Sequence, residues 1–234
     1  MDDLITNFTA YHKTKFSNEL NLEKFIASLQ YSYRWVKENM TCFRIENHDE
    51  HVLIMMESEN SSWAYFGYLK LKSETSTKLW AKVASFCKSK QIYKILGPVQ
   101  GSTYFPYRCV NKTDGRRFFQ GEYFSDLKDA KFLNNLNPSK IINYRSAIRE
   151  NYNKVMSVSK PYYDSLFQKG LRVELANEIS ESELKEVYEI ICAVFSKNWG
   201  YQDIGYPLFK QLFSRIVCLE ISLIFSILGF FGKF

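Results

Sequence analysis

The chain has 234 residues, a length that suits one large domain or two smaller ones. Hydrophobic residues make up 46% and charged residues 24%, which is typical of a globular protein and excludes a disordered or fibrous one. The net charge of +6 is uneven, because residues 78–160 have a balance of +11 and residues 161–203 have a balance of −4. The change of sign predicts two parts. The basic part allows an anionic partner, although a solvated lysine-rich surface is the simpler interpretation.

Cysteine usage and the two termini predict a cytoplasmic protein. The five cysteines are scattered and never form a C-x-x-C pair, which favours reduced thiols over disulfides. The N-terminus lacks a basic segment followed by an apolar one, so no secretory signal is expected. The apolar run at residues 216–231 is shorter than the roughly 20 residues of a membrane helix. Its apolar and polar residues alternate, so it is predicted to form strands, and a membrane anchor is not expected.

In chain order, the first half is predicted as a helix, a hairpin, a strand, a helix and a short buried strand. These cover residues 20–38, 40–46 with 51–57, 61–71, 77–90 and 92–96. Ser73 or Thr75 is the predicted N-cap of the second helix. His48 and His51 flank two acidic residues, but polar residues at a hairpin tip are ordinary turn chemistry, so no metal site is expected.

The second half begins with a loop-rich stretch. The following elements are a strand, one or two helices interrupted at Pro161, a strand, two helices and terminal strands. These cover residues 141–150, 151–168, 171–175, 180–195, 207–216 and 219–227. Ser180 and Glu183 match a capping box. The order predicts an α/β or α+β fold with a mixed sheet, divided into a first domain over residues 1–160 and a second over 170–234.

One motif combines several groups that bind ligands. GPVQGSTYFPYR, residues 97–108, follows a predicted strand and contains hydroxyl groups, aromatic rings and a guanidinium group. In α/β proteins the ends of strands commonly bind ligands, so this loop is a candidate site. A structural loop held together by stacked aromatic rings is the alternative interpretation.

This motif, followed by INYRSAIRENY at residues 142–152, resembles a tandem-domain branch of the GNAT superfamily of N-acetyltransferases. A later segment, AVFSKNWGYQDI, is similar to a Phe-x-x-Asn-x-x-Tyr element of that branch through Phe195, Asn198 and Tyr201. The resemblance covers about residues 40–225. It implies a mixed, mainly antiparallel sheet flanked by helices, followed by a truncated second GNAT-like unit.

The resemblance also implies an activity, the transfer of an acyl group from acetyl-CoA or another acyl-CoA to a small-molecule or peptide amine. Tyr104 or Tyr107 would be the acid that protonates the leaving thiolate, since a free tyrosine has a pKa of about 10. The segment that corresponds to the phosphate loop would bind the cofactor, and the mouth of the site would bind the substrate. The cofactor residues would be Lys70, Lys72, Ser73 and Thr75, and the substrate residues Ser102, Thr103, Arg108 and Tyr144.

The sequence departs from this pattern in two places. Residues 69–77, LKLKSETST, contain no glycine, although a phosphate loop needs close backbone approach. The chain also ends at Phe234, before a second phosphate loop is expected. A second hypothesis is therefore a non-catalytic binding module for a small anionic ligand, a peptide or a protein partner. Terminal strands without partners predict a homodimer. Nucleic acid is less favoured, because no recognised motif accompanies the aromatic residues.

Overall fold

The computed structural model describes residues 3–73, 75–119, 121–146, 152–170 and 179–213. Within them the elements are α1 (Asp3–Lys15), α2 (Leu22–Asn39), β1 (Thr41–Asn47), β2 (Glu50–Met56), β3 (Trp63–Lys70), α3 (Thr77–Ser89), β4 (Lys94–Leu96), α4 (Leu127–Asn135), α5 (Tyr152–Gln168), α6 (Glu181–Phe195) and α7 (Tyr206–Phe213). The described chain therefore mixes helices with one four-stranded sheet, which confirms the α+β class.

The chain divides into two compact units. The first contains residues 1–143 together with residues 199–202, and the second contains residues 144–198 and 203–234. The domain boundary expected between residues 160 and 170 stays a prediction. In the described residues, no helix is both long enough and apolar enough to span a membrane.

The sheet lies in the first unit and has the order β1-β2-β3-β4. The pairs β1–β2 and β2–β3 are antiparallel, whereas β3 and β4 are parallel. Parallel neighbours need a crossover connection, and α3 makes it. The β1–β2 hairpin turns at His48 and Asp49, with His48 in the left-handed region at φ 54°.

Helices cover both faces of the sheet, so every residue of β2 is buried. Alternate residues of β2 and β3 pack against α3 and α4 in one hydrophobic cluster, which includes Val52, Ile54, Met56, Ala64, Phe66, Leu79, Val83 and Phe132. On the opposite face, α1 and α2 surround the buried Tyr68. Its ring centroid lies 5.6 Å from that of Phe8, and its hydroxyl group lies 2.5 Å from Ser32 Oγ.

The second unit contains α5, α6 and α7. Ser180 and Glu183 form the predicted capping box at the start of α6. Leu184 and Val187 of α6 and Phe209 of α7 are buried. The Tyr188 hydroxyl donates to Asp203 Oδ1 at 2.7 Å.

Most predicted elements occur within a few residues of their expected bounds, but four expectations were wrong or incomplete. Helices α1 and α4 were not predicted. Residues 141–146 form no strand, and within the described chain β4 is an edge strand of the sheet. Helix α5 runs through Pro161 without a break. The N-cap of α3 is Ser76, not Ser73 or Thr75. The strands expected at residues 171–175 and 219–227 lie outside the described residues.

Candidate functional site

The 97–108 loop packs against β3 at a place where a glycine on each side faces the backbone of the opposite segment. A Cβ atom on Gly67 would lie 2.1 Å from the carbonyl oxygen of Val99, and one on Gly97 would lie 2.3 Å from that of Phe66. Without these side chains, the Val99 N–H donates to the Phe66 carbonyl at 3.0 Å. The loop therefore continues the contact with β3 beyond the end of β4.

The side chain of Gln100 completes this contact. The register between β2 and β3 shifts between His51 and Leu53, and Tyr68 has a φ of 47°. A shift of this kind is a β-bulge, which takes a backbone group out of the ladder of hydrogen bonds. The fully buried Gln100 supplies an acceptor for that group, because its Oε1 accepts from the Tyr68 N–H at 2.7 Å. The side chain thus replaces a missing strand partner.

The four predicted cofactor-binding residues lie between the end of β3 and the start of α3. Lys70 Nζ lies 5.6 Å from the centroid of the Tyr11 ring. Lys72, Ser73 and Thr75 are exposed, and Ser73 Oγ accepts from the Thr75 N–H at 3.2 Å. The donor at Thr75 is therefore already used inside this turn.

Glu50 places a carboxylate group at the start of α3. The sequence predicts a polar hairpin turn at this residue, but its side chain is only 6% exposed. Its Oε1 accepts from the Lys72 N–H at 3.0 Å and from the hydroxyl group of Ser76. Helix N-termini attract anions, and here the anion belongs to the protein itself. A phosphate group at this place would have to displace Glu50.

The predicted substrate-binding residues Ser102 and Thr103 bind a remote part of the chain, residues 199–202. The Thr103 N–H donates to the Gly200 carbonyl at 3.0 Å. Ser102 Oγ donates to the carbonyl oxygen of Gln202 at 2.7 Å and accepts from its N–H at 3.3 Å. These bonds hold the segment of residues 199–202 against the 97–108 loop.

Side chains extend the same contact. Gln202 Nε2 donates to Tyr65 Oη at 3.2 Å and to Glu57 Oε1 at 2.5 Å. The ring centroids of Tyr104 and Tyr201 are 5.6 Å apart, and their hydroxyl oxygens are 3.3 Å apart. Tyr104 is one of the two predicted acids, and its contact with Tyr201 was not predicted.

Tyr107 and Arg108 also contact each other. The Arg108 guanidinium carbon lies 4.3 Å from the Tyr107 ring centroid, and Nη2 donates to the Tyr107 hydroxyl group. The ring of Trp199 lies edge-on to that of Tyr107, with a centroid distance of 5.8 Å. The Arg108 N–H closes the base of the loop by donating to the Pro98 carbonyl at 3.0 Å. Tyr144, the remaining predicted substrate residue, belongs to the second unit and is 48% exposed.

Two buried histidines in the first unit were not predicted as a feature. The two ring nitrogens of His12 lie 2.9 Å from the Phe8 carbonyl oxygen and 3.2 Å from that of Phe124. Burial lowers the pKa of His12 to about 4. Burial, and secondarily the charges of Arg44 and Lys70 and nearby His12, lower the pKa of His51 to about 3. In the described part of the chain, these residues do not belong to any group of three or more metal-binding side chains.

Comparisons with models of known families, with curated proteins and with solved structures found no match.

Proposed function

We propose that the chain is a GNAT-like protein whose first unit is a non-catalytic binding module, with the 97–108 loop as its binding site. The order of elements supports the GNAT-like part: two helices precede three antiparallel strands, and α3 then crosses over to the parallel strand β4. The proposal places the protein in the cytoplasm. The free thiol groups of Cys42, Cys87, Cys109 and Cys192 support this location.

The observation that carries the non-catalytic part is the position of Glu50. In an acyl-CoA enzyme of this kind, backbone N–H groups and hydroxyl groups at a helix N-terminus hold the pyrophosphate. Here the Lys72 N–H and the Ser76 hydroxyl group are bonded to the Glu50 carboxylate, and the Thr75 N–H is bonded to Ser73. A second negative group beside Glu50 would be repelled. The described residues of this segment therefore do not fit a CoA pyrophosphate, and we assign no acyl-transfer step to the chain.

The contacts of the 97–108 loop explain why it is the better candidate for a binding site. Between Gly97 and Arg108, hydroxyl groups, rings and backbone groups are held by contacts to β3, so the loop is ordered before any ligand arrives. An ordered loop loses less conformational entropy on binding.

The test is a calorimetric titration of acetyl-CoA into the full chain, together with an assay of thiol release in the presence of a panel of amines. We expect no saturable heat at millimolar acetyl-CoA and no thiol release above background. Lys72→Ala is the matched control, because it removes an exposed charge that would contribute to CoA binding. Saturable binding that Lys72→Ala weakens, with amine-dependent thiol release, would contradict the proposal and favour the acyltransferase.

A further inference from the structure

Resting on the proposed function, we propose that the 97–108 loop, together with Glu57 and Tyr65, is a peptide-recognition site. Its ligand is a short segment with the pattern Trp-Gly-Tyr-Gln, and residues 199–202 are that ligand, bound in cis and releasable.

The backbone contacts are those of a bound peptide. Thr103 donates to the carbonyl of the second residue of the segment, and Ser102 both donates to and accepts from the backbone of the fourth. Bonds to the main chain supply affinity that does not depend on the side chains of the peptide.

Gly200 imposes the first requirement on sequence. Its φ of 69° lies in the left-handed region, and an added Cβ would lie 3.1 Å from Thr103 Cγ2. A β-branched residue at this place would meet both backbone strain and a steric clash. The site therefore selects glycine at the second position.

Gln202 imposes the second requirement. Its amide nitrogen donates to the Tyr65 hydroxyl and to the Glu57 carboxylate. A carboxylate in place of the amide would face Glu57 with a like charge, and an apolar residue would leave both acceptors without this donor. The contacts of Tyr201 with Tyr104 and of Trp199 with Tyr107 explain the aromatic residues at the first and third positions.

The place of the segment in the chain favours its release. Residues 199–202 group with the first unit, whereas Asn198 and Asp203 on either side group with the second. A contact of four residues has few bonds to break, and a ligand held in cis competes through its high effective concentration.

The experiment uses a fluorescein-labelled synthetic peptide with the sequence of residues 197–204, KNWGYQDI, and measures its binding to the full chain by anisotropy. The test variant is Trp199→Ser, Tyr201→Ser and Gln202→Ser combined, with folding checked by circular dichroism. We expect saturable binding to this variant and binding at least ~10-fold weaker to the unmodified chain, because the cis segment competes. The control peptide carries valine in place of glycine and should bind at least ~10-fold more weakly to the variant.

Two results would overturn the proposal: no binding to the folded variant, or equal binding of the two peptides. If the triple variant does not fold, Gln202→Ala tests the same idea, because it removes two side-chain bonds and keeps the backbone bonds. It should bind the peptide about 5-fold more tightly than the unmodified chain. Binding no tighter than that of the unmodified chain would contradict the proposal.

Light scattering on the unmodified chain tests whether the bound segment comes from the same chain or from a second copy of it. Binding in cis predicts that the peptide leaves the oligomeric state unchanged, whereas a dimer that the peptide dissolves would overturn the cis assignment. Failure of the inference is distinguishable from failure of the proposed function, since acetyl-CoA binding and peptide binding are measured separately.

Discussion

A glutamate carboxylate accepts hydrogen bonds at the start of both α3 and α6, but the two glutamates come from different parts of the chain. Glu50 binds residues that precede α3, whereas Glu183 belongs to the first turn of α6. At α6 the glutamate is local: Glu183 Oε2 accepts from the Ser180 N–H at 2.7 Å, three residues away. At α3 it is remote, because Glu50 comes from β2, 26 residues before Ser76.

The two glutamates also differ in burial. Glu183 is exposed to solvent, whereas Glu50 is buried between β2 and the turn that precedes α3. Water can replace the bonds of an exposed carboxylate but not those of a buried one. Glu50 therefore ties the turn before α3 to the sheet, whereas Glu183 affects only its own helix.

The largest expected effect comes from comparing Glu50→Ala with Glu183→Ala. Removing the Glu50 carboxylate leaves the Lys72 N–H and the Ser76 hydroxyl without this buried acceptor. We expect a loss of about 3 kcal/mol in the free energy of unfolding, or roughly 6–12 °C in Tm. Glu183→Ala should leave the Tm within about 1 °C of the unmodified chain. Thermal unfolding followed by circular dichroism makes the comparison, and equal shifts for the two variants would refute the distinction.

The same difference explains what the sequence could and could not predict. The cap of α6 was predicted because Ser180 and Glu183 form a pattern within four residues. The contact of Glu50 with Ser76 was not predicted, because nothing near Ser76 in the sequence points to Glu50. Helix α4 was missed although its cap is also local. Asp126 accepts from the Lys128 N–H and Asp129 accepts from the Asp126 N–H, but aspartate is not the usual acidic residue of a capping box.

The candidate site shows the same limit. The sequence identified the 97–108 loop, because its glycines, hydroxyl groups and aromatic residues stand together. It did not identify residues 199–202 as the partner of Ser102 and Thr103, since about 100 positions separate them and no spacing rule connects them. Gln100 was missed as well, because its role depends on the bulge at Tyr68. Contacts between distant residues were thus the part that patterns could not predict.

A smaller effect concerns acid sensitivity, which depends on titratable side chains that are buried in the folded chain. His12 and His51 have pKa values of about 4 and about 3 in the folded chain, against 6.5 ordinarily. The unfolded chain therefore binds more protons at these residues, and stability falls as the pH falls from about 6.5 towards 4. Asp129 acts in the opposite direction, because burial raises its pKa to about 6. Between pH 7.5 and 5 we expect a net loss of about 2–3 kcal/mol, measured by urea unfolding.

The control is His51→Leu, which removes one histidine together with a buried Nε2 atom that has no hydrogen-bond partner in the described residues. The charges of Arg44 and Lys70, and nearby His12, help to lower the pKa of His51 in the folded chain. The variant removes this histidine and therefore its difference in pKa between the folded and unfolded chain. It should reduce the acid-induced loss by about 2 kcal/mol. A slope against pH as steep as that of the unmodified chain would show that other groups control the acid sensitivity.

The amide NMR signal of Lys72, followed during a titration with inorganic pyrophosphate, tests whether the Glu50 carboxylate takes the position that a phosphate would occupy at the start of α3. We expect no saturable shift in the unmodified chain at millimolar pyrophosphate and a saturable shift in folded Glu50→Ala. Glu50→Gln, which keeps an acceptor for Lys72, should respond less than Glu50→Ala. A saturable shift of the Lys72 signal in the unmodified chain would show that Glu50 does not exclude the anion.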